Sequence, residues 1–374
     1  MSKPLAGSRI ATIGGGIIGL ATARASARAG GRVTLYERDQ VGGGATDAAS
    51  GLITLGWRGR SSLRRLKRAG YHAMERWLPE LAPRMAAGSA ERRRAIRLFE
   101  TVPPTHEKLL ATWIAAGHDA RYLEPEEAAA LVPGLDPASF ALALQLDQEW
   151  VVDPPALVAA LREDFLEAGG VLHEQVGSLS VLPAGPDEIA VVDASGASIA
   201  EEADHVLVAS GWQSVAALAA LPDPALAVAP VGGIGLDLPV EMAPVTVHFG
   251  EKGRTHLIRR GEGRAYLGST VREEGSVESA QGEESRTLLD RAFHHFPHLA
   301  GCAVTAVRDG LRPKAQRRGG PFLGSYPGRR RLWIATGHYR LGVATAAATA
   351  EQLVAAWSGG EPIDPDLSVA RGLE

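Results

Sequence analysis

Gly14, Gly16 and Gly19 stand in the spacing Gly-x-Gly-x-x-Gly directly after the apolar run Ile10-Ala11-Thr12-Ile13, and Glu37 closes Val33-Thr34-Leu35-Tyr36. Each has a physical task. Gly14 permits a tight turn, Gly16 lets a pyrophosphate approach the backbone, and Gly19 lets a helix pack closely on a strand. The free N–H groups and the positive dipole end of that helix would then hold phosphate charge. A carboxylate at Glu37 accepts hydrogen bonds from ribose hydroxyls and repels a 2′-phosphate. The chain has 44 glycines, so the spacing alone is weak. The strand before it, the helix after it and the acid ending the next strand make it specific, and they predict a dinucleotide site.

A second group of chemically suggestive residues lies in the last quarter: Gly310-Leu311-Arg312-Pro313 and Gly337-His338-Tyr339-Arg340-Leu341-Gly342. Arginines outnumber lysines heavily, so an arginine near a motif is weak evidence by itself. His294-His295-Phe296-Pro297-His298 has a spacing that suits no common metal site and no nearby acid or thiol, so no metal is expected. No Ser-His-Asp or P-loop arrangement is recognisable.

The elements that must position these residues follow from the whole chain. Its 374 residues leave room for two or three domains, and 45% hydrophobic with 22% charged residues is ordinary for a globular protein. A net charge of −4 gives no general pull toward nucleic acid, and the single Cys302 excludes a disulfide framework and fits a reducing compartment. No apolar run reaches the length of a membrane span, and no cleavable signal is visible, so a cytoplasmic enzyme is expected. The N-terminal βαβ unit covers residues 9–38. Gly42 to Gly51 is a run of small residues suited to backbone passing close to a ligand. Residues 61–84 read as a helix with Leu63, Leu66, Ala69, Met74, Trp77 and Leu81 on its apolar side, and with Arg64, Arg65, Lys67 and Arg68 on a solvated face. Residues 86–147 read as mostly helical, with Arg92-Arg93-Arg94 as a second solvated basic cluster. Further strands are expected at 171–176, 204–211 and 331–337, and further helices at 154–168, 283–296 and 344–357; residues 228–270 read as mainly β. The nucleotide-binding strands thus come from the start, middle and end of the chain. That predicts an α/β, Rossmann-type nucleotide-binding domain from residues 1–85, 148–222 and 306–374, with a discontinuous α+β substrate domain containing an antiparallel sheet from 86–147 and 223–305.

Together the motifs resemble the glycine oxidase and D-amino acid oxidase superfamily of FAD-dependent amine oxidases, most closely its glycine oxidase branch. The matching pieces are Ile13-Gly14-Gly15-Gly16-Ile17-Ile18-Gly19, Glu37, Gly44-Ala45-Thr46 with Ala49 and Gly51, Val152-Asp153-Pro154, Ala209-Ser210-Gly211-Trp212, Pro230-Val231-Gly233, Leu267-Gly268-Ser269-Thr270, Gly310-Leu311-Arg312-Pro313 and Gly337-His338-Tyr339-Arg340. They follow the family's order over nearly the whole chain, with 55–145 matching loosely.

The resemblance implies oxidative deamination of a small amino acid, such as glycine, an N-alkylglycine or a D-amino acid, by hydride transfer from the carbon to flavin N5. It implies FAD, bound without a covalent link because no suitable Cys or His lies in the attachment positions. It implies contacts to the cofactor from Gly14, Gly16, Ile17, Ile18, Gly19, Glu37, Arg38, Ala45, Thr46, Ala49, Ser50, Gly51, Val176, Ser210, Gly211, Trp212, Gly337, His338, Tyr339, Arg340, Leu341 and Gly342. Arg312 falls at the family's carboxylate-binding position and Arg340 at a second position near the pocket mouth or flavin. His256 falls where the family has a Tyr assisting the carboxylate Arg, and an imidazole could donate a hydrogen bond or add positive charge there.

Two motifs depart from the family. Lys314-Ala315-Gln316-Arg317-Arg318-Gly319-Gly320 replaces Thr-Asp-Gly, and Leu341 replaces an Asn. Both departures point to a pocket of different make-up. The expected partners are an amino-acid substrate and O2 or another electron acceptor, with no nucleic acid; assembly with further copies of the chain is left open. Three alternatives stand beside this reading: a dehydrogenase passing electrons to a quinone or protein, a flavoprotein subunit active only in a hetero-complex, and an NAD-dependent dehydrogenase.

Overall fold

A computed structural model describes residues 3–56, 59–200, 202–221, 226–250, 253–272, 274, 276, 278, 281–317 and 320–372. In chain order the first half runs β1 (Arg9–Ile13), α1 (Ile17–Arg28), β2 (Arg32–Tyr36), β3 (Leu52–Thr54), α2 (Ser62–Leu81), β4 (Ala90–Phe99), α3 (His106–Ala115), β5 (Ala120–Leu123), α4 (Pro125–Leu131), β6 (Leu142–Val152) and α5 (Pro154–Glu167). The second half runs β7 (Val171–His173), β8 (Ser180–Pro183), β9 (Ile189–Val192), β10 (Ser198–Ile199), β11 (His205–Val208), α6 (Ser214–Ala217), β12 (Val228–Leu238), β13 (Val245–Phe249), β14 (Thr255–Arg259), β15 (Ala265–Gly268), α7 (Gln281–His295), β16 (Ala306–Ala315), β17 (Phe322–Ser325), β18 (Leu332–Thr336) and α8 (Gly342–Trp357).

Six strands form one sheet in the order β17-β18-β11-β1-β2-β7, parallel except for β17. Its apolar strands are covered on both faces, as parallel sheets require. On one face α1, α2, α5 and α8 bury Leu20, Met74, Leu161 and Leu353 in one core. On the other, the antiparallel sheet β10-β9-β8 closes over Val206, Val208 and Ile334. Small residues set the helix spacing: a Cβ on Gly70 of α2 would lie 2.0 Å from the Ala344 carbonyl oxygen of α8. On α2 the buried side is Leu66, Gly70, Tyr71, Met74, Trp77 and Leu78, while Ala69 is exposed, contrary to the sequence expectation.

Nine strands form the second sheet, in the order β16-β12-β15-β14-β13-β4-β6-β3 with β5 on the flank of β6. Among the described residues only β13 with β4 is parallel in it. Its core, with Leu236, Val247, Leu257 and Leu267, packs against Leu288, Ala292 and Phe296 of α7 and its C-terminal end.

The expectation of a mostly helical 86–147 is wrong. Strands β4, β5 and half of β6 share it with α3 and α4, and the arginine run Arg92-Arg93-Arg94 lies on β4. A register shift between Arg93 and Ala95 breaks the alternation that would have revealed a strand. Residues 306–315, expected in the nucleotide-binding part, instead form β16, which pairs along its whole length with β12 in the nine-stranded sheet. Among the described residues no helix is long and apolar enough to cross a membrane.

Candidate active site

One cavity of about 1630 Å³ runs between the two large sheets, from Glu37 at one end to Glu149 at the other. At the Glu37 end the backbone does the work. Gly14 sits at φ +105°, and a Cβ there would lie 2.7 Å from Ser210 Cα. A Cβ on Gly19 would lie 1.9 Å from the Gly14 carbonyl oxygen, so α1 packs against the turn only because Gly19 has no side chain. Above Gly16, by contrast, the nearest atom is Thr46 Oγ1 at 3.5 Å, and the backbone lies open to the cavity. Thr46 Oγ1 accepts a hydrogen bond from the Ile17 N–H (3.1 Å). The Glu37 carboxylate accepts from the Gly15 N–H at 2.6 Å and from the Asp39 N–H at 3.0 Å, which anchors it at the end of β2.

The 42–51 loop is pinned from the other sheet. The Arg260 guanidinium donates to the carbonyls of Ala49 (3.2 Å), Ser50 (2.6 Å) and Val152 (2.9 Å) and pairs with Asp153 at 3.0 Å. Opposite, Thr336 Oγ1 donates to the Gly211 carbonyl (2.6 Å), and Leu341 and Gly342 bring the N-terminus of α8 to the cavity. An open glycine backbone between two helix N-termini, with a carboxylate at one end, fits an extended dinucleotide carrying a pyrophosphate.

Of the residues expected at the cofactor, Gly14, Gly16, Ile17, Ile18, Glu37, Arg38, Ala45, Thr46, Ala49, Ser50, Gly51, Ser210, Gly211, Trp212, His338, Tyr339, Arg340, Leu341 and Gly342 all line the cavity. Gly19, Val176 and Gly337 stand behind the wall. Val176 donates its N–H to the Glu37 carbonyl (3.2 Å), and a Cβ on Gly337 would meet that of Ala315 at 2.8 Å. His338 is buried and bonded to Thr349 Oγ1 (3.2 Å); burial brings its pKa down to about 3.

At the far end the side chains do the work, and they gather where β15 ends. Arg312, on β16, donates from Nη1 to the Gly232 and Thr270 carbonyls, each at 3.1 Å. Its guanidinium occupies the space that a Cβ on Gly233 would take. Arg340 donates from Nη2 to Ser269 Oγ (3.3 Å). Tyr266 is buried beside them, its hydroxyl filling the space left by Gly235 and Gly268. Burial lowers the pKa of both arginines, and Arg340 lowers that of Arg312 further. Arg272 nearby is neutralised by Glu284 and Asp309. Arg312 and Arg340 have no carboxylate partner among the described residues. Two partly desolvated cations that repel one another and face one cavity call for an anion, and a carboxylate matches the guanidinium fork.

His256 lines this same end. It lies opposite Gly268 on one side and His248 on the other. Burial first, then the neighbouring His248, Arg340 and Arg97, hold its pKa well below 6.5, so it brings no positive charge at neutral pH. Its Nδ1 is 2.8 Å from His248 Nδ1, and His248 Nε2 is 2.8 Å from Glu149 Oε2. Arg97 and Lys67 also reach this end, and burial lowers the pKa of each. The solvated face expected for Arg64, Arg65, Lys67 and Arg68 is therefore only partly solvated: Lys67 turns into the cavity, and Arg68 donates to the Ala116 carbonyl (2.9 Å).

Sequence reasoning missed Tyr266, Glu149, His248, Lys67 and Arg97. Tyr266 alone had a signal, since it stands directly before the Leu267-Gly268-Ser269-Thr270 motif on one strand. The departure at 314–320 does not line the cavity where it is described; Arg318 and Gly319 lie outside the described residues. Leu341 does line it. His295 bonds Ser139 Oγ (2.9 Å) and stacks edge-on against Phe249, and His298 bonds the Gly134 carbonyl (3.1 Å).

The family described as FAD dependent oxidoreductase matches residues 9–357. A glycine oxidase from Pseudomonas aeruginosa is 32% identical over 365 residues, covering 96% of this chain and 97% of that one. A glycine oxidase from Geobacillus kaustophilus is 28% identical over 342 residues, covering 89% and 88%. The crystal structure of glycine oxidase from Geobacillus kaustophilus superposes with a TM-score of 0.85 at 26% identity, over 97% of this chain and 99% of that one.

Proposed function

The chain belongs to the FAD-dependent oxidoreductase family, and from that premise we propose that it oxidatively deaminates a small amino acid such as glycine, an N-alkylglycine or a D-amino acid, with O2 as electron acceptor. FAD is its cofactor. The carrying observation is the pair Arg312 and Arg340, two guanidiniums without a carboxylate partner among the described residues, at the end of the cavity opposite the glycine turn.

When bound, FAD supplies the acceptor for the hydride that leaves the substrate's α-carbon. The chain supplies placement. The glycine turn, Glu37 and the start of α8 hold the cofactor, with the 42–51 loop fixed by Arg260. Arg312 clamps the substrate carboxylate, Arg340 closes on the same anion from the Ser269 side, and the Tyr266 ring stands beside them with its hydroxyl directed to the Ala48 carbonyl. Holding the carboxylate at two points fixes the direction of the Cα–H bond, which is how a clamp contributes to rate as well as to binding. The six-stranded sheet with its helices makes the nucleotide-binding domain in this reading, and the nine-stranded sheet makes the substrate domain. A cytoplasmic setting belongs to the same reading.

The test is an anaerobic screen of the holoenzyme against glycine, sarcosine, proline and both enantiomers of common amino acids. Bleaching of the flavin by at least one small amino acid is expected; bleaching by none overturns the proposal. One relative favours a second reading of the acceptor: a D-amino acid dehydrogenase 2 from Pseudomonas aeruginosa is 28% identical over 413 residues, covering 96% of this chain. Peroxide formed in step with substrate consumption identifies an oxidase. Dye reduction without peroxide identifies a dehydrogenase.

A further inference from the structure

Glu149 on β6, His248 on β13 and His256 on β14 form a hydrogen-bonded file from the sheet interior to the cavity. Glu149 and His248 are only 4% and 3% exposed, both bonds are 2.8 Å, and the two imidazoles meet edge-on at 80°. The proton positions follow from donor and acceptor capacity. Burial alone would raise the Glu149 carboxyl, but His248, Arg97 and Lys67 outweigh it and bring its pKa below the usual range, so it is ionised and can only accept. His248 Nε2 therefore carries a hydrogen and donates. With a single hydrogen on each ring, that leaves His248 Nδ1 as the acceptor and His256 Nδ1–H as the donor of the 2.8 Å bond between them. His256 is left with a bare Nε2 on the edge of its ring away from that bond, and the residue lines the cavity.

That bare nitrogen is well placed for a substrate. His256 pairs in register with Gly268, and the next residue, Ser269, carries the hydroxyl that Arg340 touches. In an amino acid held through its carboxylate, the ammonium group is one carbon away from the clamped end. We infer that Glu149, His248 and His256 form a relay that takes the proton from the substrate's ammonium group. This rests on the amino acid reading above, because oxidation of the C–N unit needs the free electron pair of the amine.

The step balances without a further reactant. One N–H bond of the ammonium breaks, its electron pair stays on the amine nitrogen, and the proton bonds to His256 Nε2. The hydrogen on His256 Nδ1 moves to His248 Nδ1. The positive charge thus comes to rest on His248, against the Glu149 carboxylate, while His256 is again neutral with its hydrogen on the other nitrogen. His256 cannot keep the charge itself, since it is faced by Arg340, by Arg97 of β4 and by His248, with Arg254 on the same cavity wall. On His248 the charge lies 2.8 Å from the Glu149 carboxylate, its hydrogen-bond partner; Arg97 and Lys67 of α2 are the other charges facing that pair. His256 is the catalytic member, and His248 and Glu149 are positioning residues that set its tautomer and accept the charge.

The experiment compares kcat/KM from pH 6 to 10 for the wild-type holoenzyme, His256→Gln, His248→Gln and Glu149→Gln, each checked for FAD content, using the substrate found by flavin bleaching. Only molecules that are already free amines can react once the relay is broken. The variants are therefore expected to fall about 1,000-fold at pH 7, to climb by about tenfold per pH unit, and to approach the wild type near pH 10. A fall by one constant factor at every pH is what a structural role gives, and it overturns the relay. A second measurement needs no variant: 15N NMR of histidine-labelled holoenzyme at pH 7.5 is expected to show His256 with hydrogen on Nδ1 and none on Nε2, and the opposite tautomer overturns the relay. If no amino acid reduces the wild-type flavin, the amino acid reading itself has failed and the relay with it; an active wild type with parallel pH profiles sinks the relay alone.

Discussion

The two ends of the cavity are built by opposite means. At the Glu37 end most of the wall is backbone: Gly14, Gly16, the 42–51 loop and the start of α8 present main-chain atoms, and Glu37 is the main charged group held by backbone N–H donors. At the Glu149 end the wall is side chain, with Arg312, Arg340, Tyr266, His256, His248 and Lys67 brought from separate strands and helices. The first end needs absence of bulk, which one local segment can provide. The second needs a set of partly desolvated polar groups whose charges balance only when a ligand joins them. The difference teaches that substitutions at the two ends should fail in different observables.

The largest effect is expected at Gly19. A valine there puts a branched side chain where even a Cβ lies 1.9 Å from the Gly14 oxygen, so α1 must shift away from the turn. Gly19→Val should purify without flavin and lose about 3 kcal/mol or more of stability, read from visible absorbance and a urea melt. A yellow, active Gly19→Val protein would break the backbone half of the comparison.

Arg312→Ala should keep its flavin and lose about 100- to 1,000-fold in kcat/KM, or about 3–4 kcal/mol, since a charge-assisted bidentate anchor is removed. A loss under about threefold would remove Arg312 from the role assigned to it.

Smaller again is a pH effect at the nucleotide end. The pKa of His338 is about 3 in the fold against an ordinary value of 6.5, so the fold disfavours its charged form. Its stabilising contribution is complete above pH 6.5 and is lost as pH falls toward 3, at about 1.4 kcal/mol per unit. Between pH 6.5 and 5 the wild type should therefore lose about 2 kcal/mol more than His338→Gln in urea unfolding, and equal losses would contradict the burial argument.

Tyr266→Phe removes one hydroxyl and little volume. It should cost about 1 kcal/mol, or about fivefold in kcat/KM, with flavin content unchanged. Loss of flavin would show that its bond to the Ala48 carbonyl of the 42–51 loop, and not the substrate, is what the hydroxyl serves.

The nucleotide end was legible because its signal is contiguous. Ile10 to Gly19 holds strand, turn and helix start in one stretch, and Glu37 closes the very next strand. Arg312 and Arg340 were legible only through resemblance, because nothing local marks one arginine among many as a clamp. The stretch 86–147 was misread as helix because the arginines and the bulge on β4 hide its period-two alternation. Glu149 and His248 carried no sequence signal. They lie on strands separated by β4 in the sheet, and each is an ordinary residue until the register sets them 2.8 Å apart.

By itself the amino-acid sequence determined the glycine turn between β1 and α1, the acid that closes β2 beside it, and the family that supplies FAD and amino acid oxidation. These depend on backbone conformation and steric room, which a few consecutive residues specify. Only the tertiary structure decided that Arg312 and Arg340 converge on the end of β15, that Tyr266 stands with them, and that His256 is neutral and backed by His248 and Glu149. Those properties are burial, charge proximity and hydrogen-bond direction between distant segments, and they come into existence when the strands take their register.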